Sequence, residues 1–265
     1  MIPKVIHYCW FGHSPLPKLA EKCIASWKKF FPDYEIKEWN EGNFDVNIIP
    51  YTAEAYQAKK YAFVSDYARF WILYHYGGLY FDTDVEVIKP MDDIIAKGPF
   101  MGCELDAEGA TALAVAPGLG LGVNPGLGLG VNPGLCFYKI MLQMYSKLNF
   151  IERGKIYNLE TIVSYTTKEL LKVGLKNEKK VQFVAGIYIY PQEYFCPLHV
   201  ENNRKVLSIT SNTYTIHHWA ASWQPKSKEF LASVKWKLMD VFGTKLVLFT
   251  INLLQLRKLR KLLHL

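Results

Sequence analysis

The chain has 265 residues, half of them apolar and 15% aromatic, which excludes a disordered polypeptide and is long enough for one domain with a real core. Its formal net charge is +7, yet residues 226–265 hold nine Lys/Arg against only Glu229 and Asp240, so the first 225 residues are neutral. That distribution excludes a basic nucleic-acid groove across the domain and points to a local contact of the tail with something anionic.

In chain order, residues 2–8 read as a buried strand. Residues 15–31 read as a helix with Leu19, Cys23, Ile24 and Trp27 on one face. Tyr34–Trp39 is a second strand after the Pro32-Asp33 turn. A helical stretch from about Thr52 is expected to run through Lys59 and Lys60 into Tyr61–Tyr76 and to stop at Gly77-Gly78. Leu79–Ile88 reads as one strand closed by Lys89-Pro90. Short strands near 99–104 and 112–116, helices near 137–148 and 159–173, and strands near 181–190 and 213–217 follow. Two C-terminal helices are expected over roughly 227–242 and 245–264. The β, α, β, α, β order of the first 90 residues predicts an α/β domain with a mainly parallel central sheet over residues 1–225, and a separate basic segment over 226–265.

Further features bear on class. Cys9, Cys23, Cys103, Cys136 and Cys196 are scattered with no CxxC pair, which suggests neither a disulfide framework nor a zinc site and fits a reduced, cytosolic setting. The opening MIPKVIHYCWFG lacks the pattern of a signal peptide, and no apolar run reaches the roughly 18–20 residues of a spanning helix. The octapeptide PGLGLGVN occurs at 117–124 and again at 125–132. It reads as a duplication in a surface loop, where added length costs little closure entropy. Its glycines do not have the spacing or the strand–helix setting of a dinucleotide loop.

The strongest chemical signal is Asp82-Thr83-Asp84 at the end of an apolar strand. In an extended strand alternate residues share a face, so two carboxylates at this spacing make a hard oxygen site suited to Mg²⁺ or Mn²⁺. Its place at the carboxyl end of a strand is where α/β folds hold ligands. In the preceding helix Ser65, Asp66 and Arg69 are polar among aromatic neighbours. Asp66 and Arg69, three apart, share a helix face and read either as a buried ion pair or as groups meeting a sugar and its phosphate. In HHWAASW (217–223), neutral imidazole suits a metal and an indole N–H suits a phosphate oxygen. Adjacent histidines on a strand face opposite ways, so one of His217 and His218 is expected to serve. Glu104, Asp106, Glu108 and Glu160 are further carboxylates with no diagnostic setting in the sequence.

The run SDYARFWILYHYGGLYFDTDVEVIKP resembles the core of glycosyltransferase family 32, the DXD sugar-binding family, and is similar to the catalytic domains of large clostridial glucosylating toxins. IPKVIHYCWFG at 2–12, YPQEYFCP at 190–197 and HHWAASW resemble further segments of that family, in the same order. The resemblance implies a GT-A-type fold, a nucleotide-sugar donor, a UDP-sugar before others, and retention of anomeric configuration. It implies that Trp10 borders the base and that Ser65, Asp66 and Arg69 meet the donor sugar. Asp82 would touch ribose, sugar or metal, and Asp84 would bind metal directly. His217 or His218 would contact metal or phosphate, with Ser222 and Trp223 against the diphosphate. The implied activity is metal-dependent sugar transfer to a glycan or lipid-linked glycan acceptor in surface polysaccharide synthesis. The alternatives are a nucleotide-sugar hydrolase or nucleotidyltransferase, and a non-catalytic sugar-binding scaffold.

The tail LVLFTINLLQLRKLRKLLHL (246–265) interleaves Arg257, Lys258, Arg260 and Lys261 with leucines. Such a basic amphipathic helix suits an anionic membrane surface, and a peripheral location at the inner face of the cytoplasmic membrane is expected.

Overall fold

The structure is a computed structural model of the chain and describes residues 2–106, 122–124, 129–131, 134–152, 156–201, 204–220 and 238. The chain begins with β1 (Val5–Cys9), α1 (Lys18–Phe30) and β2 (Glu35–Trp39), followed by α2 (Pro50–Gln57) and α3 (Tyr61–Tyr76). Next come β3 (Gly78–Tyr80), β4 (Val85–Val87), α4 (Asp92–Lys97), β5 (Phe100–Leu105), β6 (Gly122–Asn124) and β7 (Leu129–Val131). After these lie α5 (Cys136–Tyr145), β8 (Ile151–Glu152), β9 (Ile156–Tyr157), α6 (Ile162–Lys172), β10 (Gln182–Val184) and β11 (Ile187–Tyr190). The last described elements are α7 (Gln192–Phe195), β12 (Leu198–Glu201), β13 (Arg204–Leu207) and β14 (Thr215–His217).

The central sheet runs β10-β11-β5-β7-β3-β1-β2, with β6 also on β5. β2 and β3 are both parallel to β1, and β11 is parallel to β5. β7 is antiparallel to both β3 and β5, so those two point the same way and five strands share one direction. The expected α/β class with a mainly parallel sheet is what the chain adopts.

Pleating explains how the sheet is covered. Along β1, Ile6 and Tyr8 join one buried cluster with Trp27, Phe81, Phe195 and Tyr214, while Cys9 joins another with Tyr51, Phe70, Tyr138 and Ile162. Along β5, Phe100 joins the first and Met101 and Cys103 the second. Successive residues thus feed opposite faces, each packed under helices, as a sheet of parallel strands requires. Helix α3 lies in the second cluster, and Val64, Ala68, Phe70, Ile72 and Leu73 are fully buried. A helix apolar nearly all round is stable only as a core element. It ends at Gly77 and Gly78, both with positive φ (65° and 96°). A Cβ at Gly78 would lie 2.6 Å from the Val5 carbonyl oxygen, so glycine alone lets α3 deliver its chain directly beside β1.

Three expectations change. The helix expected to run unbroken from Thr52 to Tyr76 is two helices, because Lys59 turns left-handed (φ 56°) and the Lys60 N–H bonds back to the Ala55 carbonyl. That break lets α2 fold against α3 and cover its aromatic face. The strand expected over 181–190 is a hairpin, β10–β11, turned at Ala185-Gly186, both of positive φ. Within the octapeptide repeat, expected as a surface loop, residues 122–124 of the first copy form β6 and residues 129–131 of the second form β7. The strand expected near 112–116 and the two C-terminal helices lie outside the described residues.

By its internal contacts the chain divides into one unit of Met1–His199 with Lys205–Trp219 and another of Val200–Arg204 with Ala220–Leu265. Among the described residues no helix is long and apolar enough to cross a membrane. All five cysteines are free thiols, Cys136 exposed and the rest buried.

Candidate active site around Asp82 and Asp84

After β3 the chain leaves the central sheet. Residues 81–84 turn, and β4 then pairs antiparallel with β14, His217 opposite Val85 and Thr215 opposite Val87. The strand expected over Leu79–Ile88 is therefore two short strands in different sheets, with Asp82-Thr83-Asp84 between them. The turn is fastened by backbone bonds from Val85 N–H to the Asp82 carbonyl (3.0 Å) and from His218 N–H to the Asp84 carbonyl (3.0 Å). Behind it, the indole N–H of fully buried Trp27 donates to the Val85 carbonyl (2.8 Å) and ties α1 to β4.

This turn sends the two carboxylates to different partners instead of along one strand face. Asp82 faces α3: its Oδ2 is 3.1 Å from Arg69 Nη1, while Arg69 Nη2 is 3.2 Å from Asp66 Oδ1. Arg69 Nε donates to the Ser65 carbonyl (3.2 Å), and the guanidinium stacks 4.9 Å from the Tyr80 ring centre. Arg69 and Asp66 are buried, at 4% and 7% exposure. The guanidinium fork is thus filled by two carboxylates and a carbonyl. Arg69 orients Asp82 here, and the buried Asp66–Arg69 ion pair that the spacing allowed is present. Burial is the largest influence on Asp66 and pushes its carboxyl up to about 7, against the pull of Arg69. The Ser65 hydroxyl is turned inward, bonded to the Tyr61 carbonyl one helical turn back (3.2 Å).

Asp84 faces β14. His217 Nε2 lies 3.4 Å from Asp84 Oδ1, and His217 Nδ1 is buried with no hydrogen-bond partner. Burial opposes charging of this imidazole, but Asp84, by charge and hydrogen bond, raises its pKa well above the ordinary value. His218 points away: its Nε2 is 2.8 Å from Glu86 Oε2, which Lys22 also engages at 2.8 Å. The strand alternation foreseen for the histidine pair holds, and it separates His217, beside Asp84, from His218, engaged by Glu86. The indole N–H of Trp219 meets Cys196 Sγ at 3.3 Å. Trp10, just past β1, is half-buried and donates its indole N–H to the Ser14 carbonyl (2.6 Å). It stands at the same end of the sheet as Asp82, since β1 and β3 run parallel. Ser222 and Trp223 lie outside the described residues.

Asp84 and His217 offer oxygen and one imidazole nitrogen, a set that fits Mn²⁺ or Mg²⁺. Among the described residues no three such groups form a closed shell. His217 Nδ1 is buried without a hydrogen-bond partner among the described residues.

Glu104, on β5, stood in the sequence as a carboxylate with no diagnostic setting. It enters this neighbourhood through tertiary packing and is influenced electrostatically by His217, Asp84 and Asp82. No local pattern marks it, because β5 comes 16 residues after the turn and meets it only through the sheet.

Residues 17–101 match the family described as "Glycosyltransferase sugar-binding region containing DXD motif". The chain is 32% identical over 111 residues to inositol phosphoceramide mannosyltransferase 1 of Schizosaccharomyces pombe, covering 38% of this chain and 33% of that protein. It is 32% identical over 110 residues to an uncharacterized glycosyltransferase of Acanthamoeba polyphaga mimivirus, covering 38% of this chain and 42% of the other. The match thus spans about a third to two fifths of the length of these relatives. Among solved structures, the PaToxG glycosyltransferase aligns with a TM-score of 0.47 at 19% identity, over 65% of this chain and 72% of that one. The galactosyltransferase LgtC, in complex with donor and acceptor sugar analogs, aligns with a TM-score of 0.40 at 13% identity, over 82% of this chain and 88% of that one. Residues 17–101, the stretch similar to the DXD-containing glycosyltransferase sugar-binding region, contain Asp82, Asp84 and the Asp66–Arg69 pair.

Proposed function

We propose that the protein is a metal-dependent glycosyltransferase that uses a nucleotide sugar and retains its anomeric configuration. The observation that carries this reading is the Asp82–Asp84 turn at the carboxyl end of β3, held by Arg69 on one side and set against His217 on the other. Asp84 and His217 would hold a divalent cation, which when bound supplies positive charge against the diphosphate that leaves the sugar. Arg69 fixes the Asp82 carboxylate so that its position does not reorganise during reaction. Asp66, shielded from water, offers a carboxyl to sugar hydroxyls, and Trp10 offers an aromatic edge to the base. A UDP-sugar is the first donor to try. The relatives named as mannosyltransferases make a mannosyl donor the next. A glycan or lipid-linked glycan is the proposed acceptor, in surface polysaccharide synthesis. The basic tail is proposed to hold the enzyme at the inner face of the cytoplasmic membrane, with no role for nucleic acid.

The test is release of nucleoside diphosphate from a panel of nucleotide sugars differing in base and sugar. Wild type is expected to turn over one donor, to lose activity in EDTA and to regain it with Mn²⁺ or Mg²⁺. Asp84→Asn is expected to lose at least a hundredfold in rate with an unchanged melting temperature. Full turnover in chelator would sink the metal, and no turnover or binding across the panel would sink the activity.

A further inference from the structure

The loop that joins β1 to α1 carries two successive residues of positive φ, Gly12 at 95° and His13 at 56°. A non-glycine residue is uncommon there, and such a conformation persists where the surroundings impose it. Three contacts do so. The Trp10 N–H bonds to the Trp39 carbonyl (2.8 Å), carrying the β1–β2 pairing one residue past β1. The Trp10 indole N–H closes the loop on the Ser14 carbonyl (2.6 Å). Between these two, the Gly12 N–H donates to Glu41 Oε1 at 2.6 Å, 29 residues further along the chain.

Glu41 reaches this N–H from a turn that is itself fixed. Asn43 Oδ1 accepts the Asn40 N–H (2.9 Å), Asn40 Oδ1 accepts the Gly42 N–H (2.8 Å), and Asn43 Nδ2 donates to the Glu38 carbonyl (2.8 Å). β1 runs parallel to both β2 and β3, so this turn, the β1–α1 loop and Asp82 all leave the same end of the sheet. The other side of Gly12 lies on Tyr61, where a Cβ would come 2.3 Å from the ring. The Tyr61 ring centre is 5.4 Å from that of Tyr56, across the left-handed break at Lys59 that separates α2 from α3. Gly12 is thus held between a carboxylate and an aromatic ring, and the helix break sets the ring in place. The ion pair of Glu41 with His13 is long (3.8 Å) and exposed on the histidine side, so it contributes little. Burial opposes the charge on Glu41, but the N–H groups of Gly12 and of Glu41 itself, with the Tyr56 hydroxyl, hold its pKa below the ordinary carboxylate value.

We propose that Glu41 is a positioning residue of the donor site, which holds the β1–α1 loop so that Trp10 meets the base of the nucleotide in a fixed place. The proposal rests on the reading of Trp10 as the residue that borders the base. With the loop already ordered, the nucleotide does not have to order it on binding, and removing the carboxylate returns that cost to the binding step.

The experiment measures UDP and GDP binding in Mn²⁺ by isothermal titration calorimetry, with the melting temperature of each protein. The full chain is used as wild type, Glu41→Ala, Glu41→Gln, Trp10→Ala and the Glu41→Ala/Trp10→Ala double variant. Amide exchange at Gly12, read by NMR without nucleotide, reports the loop directly. Glu41→Ala is expected to speed Gly12 exchange and to raise the dissociation constant of the nucleotide that binds roughly tenfold, the order expected for losing a hydrogen bond to a charged group. Glu41→Gln keeps an acceptor oxygen for Gly12 and is expected to recover most of the loss. In the Trp10→Ala background, Glu41→Ala is expected to change binding by less than about twofold, because its effect passes through that side chain. A structural role alone would lower the melting temperature and give the same loss with or without Trp10. Additive losses, or a Gly12 amide that exchanges as in wild type once Glu41 is removed, overturn the positioning role. Binding by Glu41→Ala within about twofold of wild type, where Trp10→Ala has weakened it, does the same. Wild-type binding by Trp10→Ala, or no nucleotide binding by wild type, overturns the reading of Trp10 and the proposal with it.

Discussion

The charged residues of α3 form a buried unit whose behaviour follows from its burial. Arg69 is the one cation contacting Asp66 and Asp82 in the described structure. Arg69→Met leaves those carboxylates without it, and breaking a buried pair from one side costs roughly 3–5 kcal/mol. Burial pushes Asp66 up to about 7, above the ordinary carboxylate value, so its charged form opposes folding as pH rises and protonation relieves it as pH falls. Chemical denaturation of Arg69→Met should therefore show a larger loss against wild type at pH 8 than at pH 5; equal losses would contradict the account. His7 is a second case, with the opposite sign. It is buried between the Gly77 carbonyl (3.0 Å from Nε2) and the Trp39 indole N–H (3.1 Å from Nδ1), and burial lowers its pKa to about 4. A neutral histidine of this kind contributes stability that is complete above its unfolded value of about 6.5 and is lost as pH falls from there through about 4, about 3 kcal/mol in all. Its ring resonances in NMR should titrate near 4; a midpoint near 6.5 would mean that the ring is open to water. The sequence located Asp66, Arg69, Asp82 and Asp84 by type and spacing. It gave no sign that Arg69 spends its donors on Asp82, because that contact depends on where the turn after β3 points.

The elements show where local pattern is overruled by pairing. Nothing in the propensities of Lys59 and Lys60 stops a helix, yet the chain reverses there so that α2 can cover α3, and Lys60 N–H finds the Ala55 carbonyl. Leu79–Ile88 reads as one strand because strand-forming residues flank Asp82-Thr83-Asp84 on both sides, but β3 belongs with β1 and β7 while β4 belongs with β14. The break falls on the two aspartates. The octapeptide gives the sharpest difference. Gly78, Leu79 and Tyr80 of β3 pair with Val131, Gly130 and Leu129 of the second copy, while Gly102 and Cys103 of β5 pair with Asn124 and Val123 of the first. Deleting residues 125–132 joins Asn124 to Pro133 with an unaltered junction, but leaves one copy for two places in the sheet. With net backbone hydrogen bonds worth about 1 kcal/mol each, the loss of a three-residue strand is expected to cost roughly 2–3 kcal/mol. Thermal and urea unfolding of the deletion variant measure it, and wild-type stability would return the repeat to the surface-loop duplication first expected.

At the scale of the whole chain, charge is the property that the sequence states most clearly. The first 225 residues balance, and all of the +7 lies after them. Near an anionic surface each Lys or Arg contributes roughly 1 kcal/mol, so Arg257, Lys258, Arg260 and Lys261 together supply about 4 kcal/mol, enough for reversible attachment. Truncation after Gly243 should abolish sedimentation with anionic liposomes while sparing donor turnover, and binding by the full chain should weaken with added salt. Indifference of the full chain to such liposomes at low salt would exclude the membrane. The sequence by itself determined the α/β class, the strand and helix order through β2, the carboxylate pair and the charge segregation, because each is written in local periodicity or composition. Only the tertiary structure decided that Asp82 turns to Arg69 and Asp84 to His217, and that His218 is engaged by Glu86. Those residues lie far apart in the chain, from Arg69 on α3 to His217 on β14, and no local period encodes which strand becomes whose neighbour.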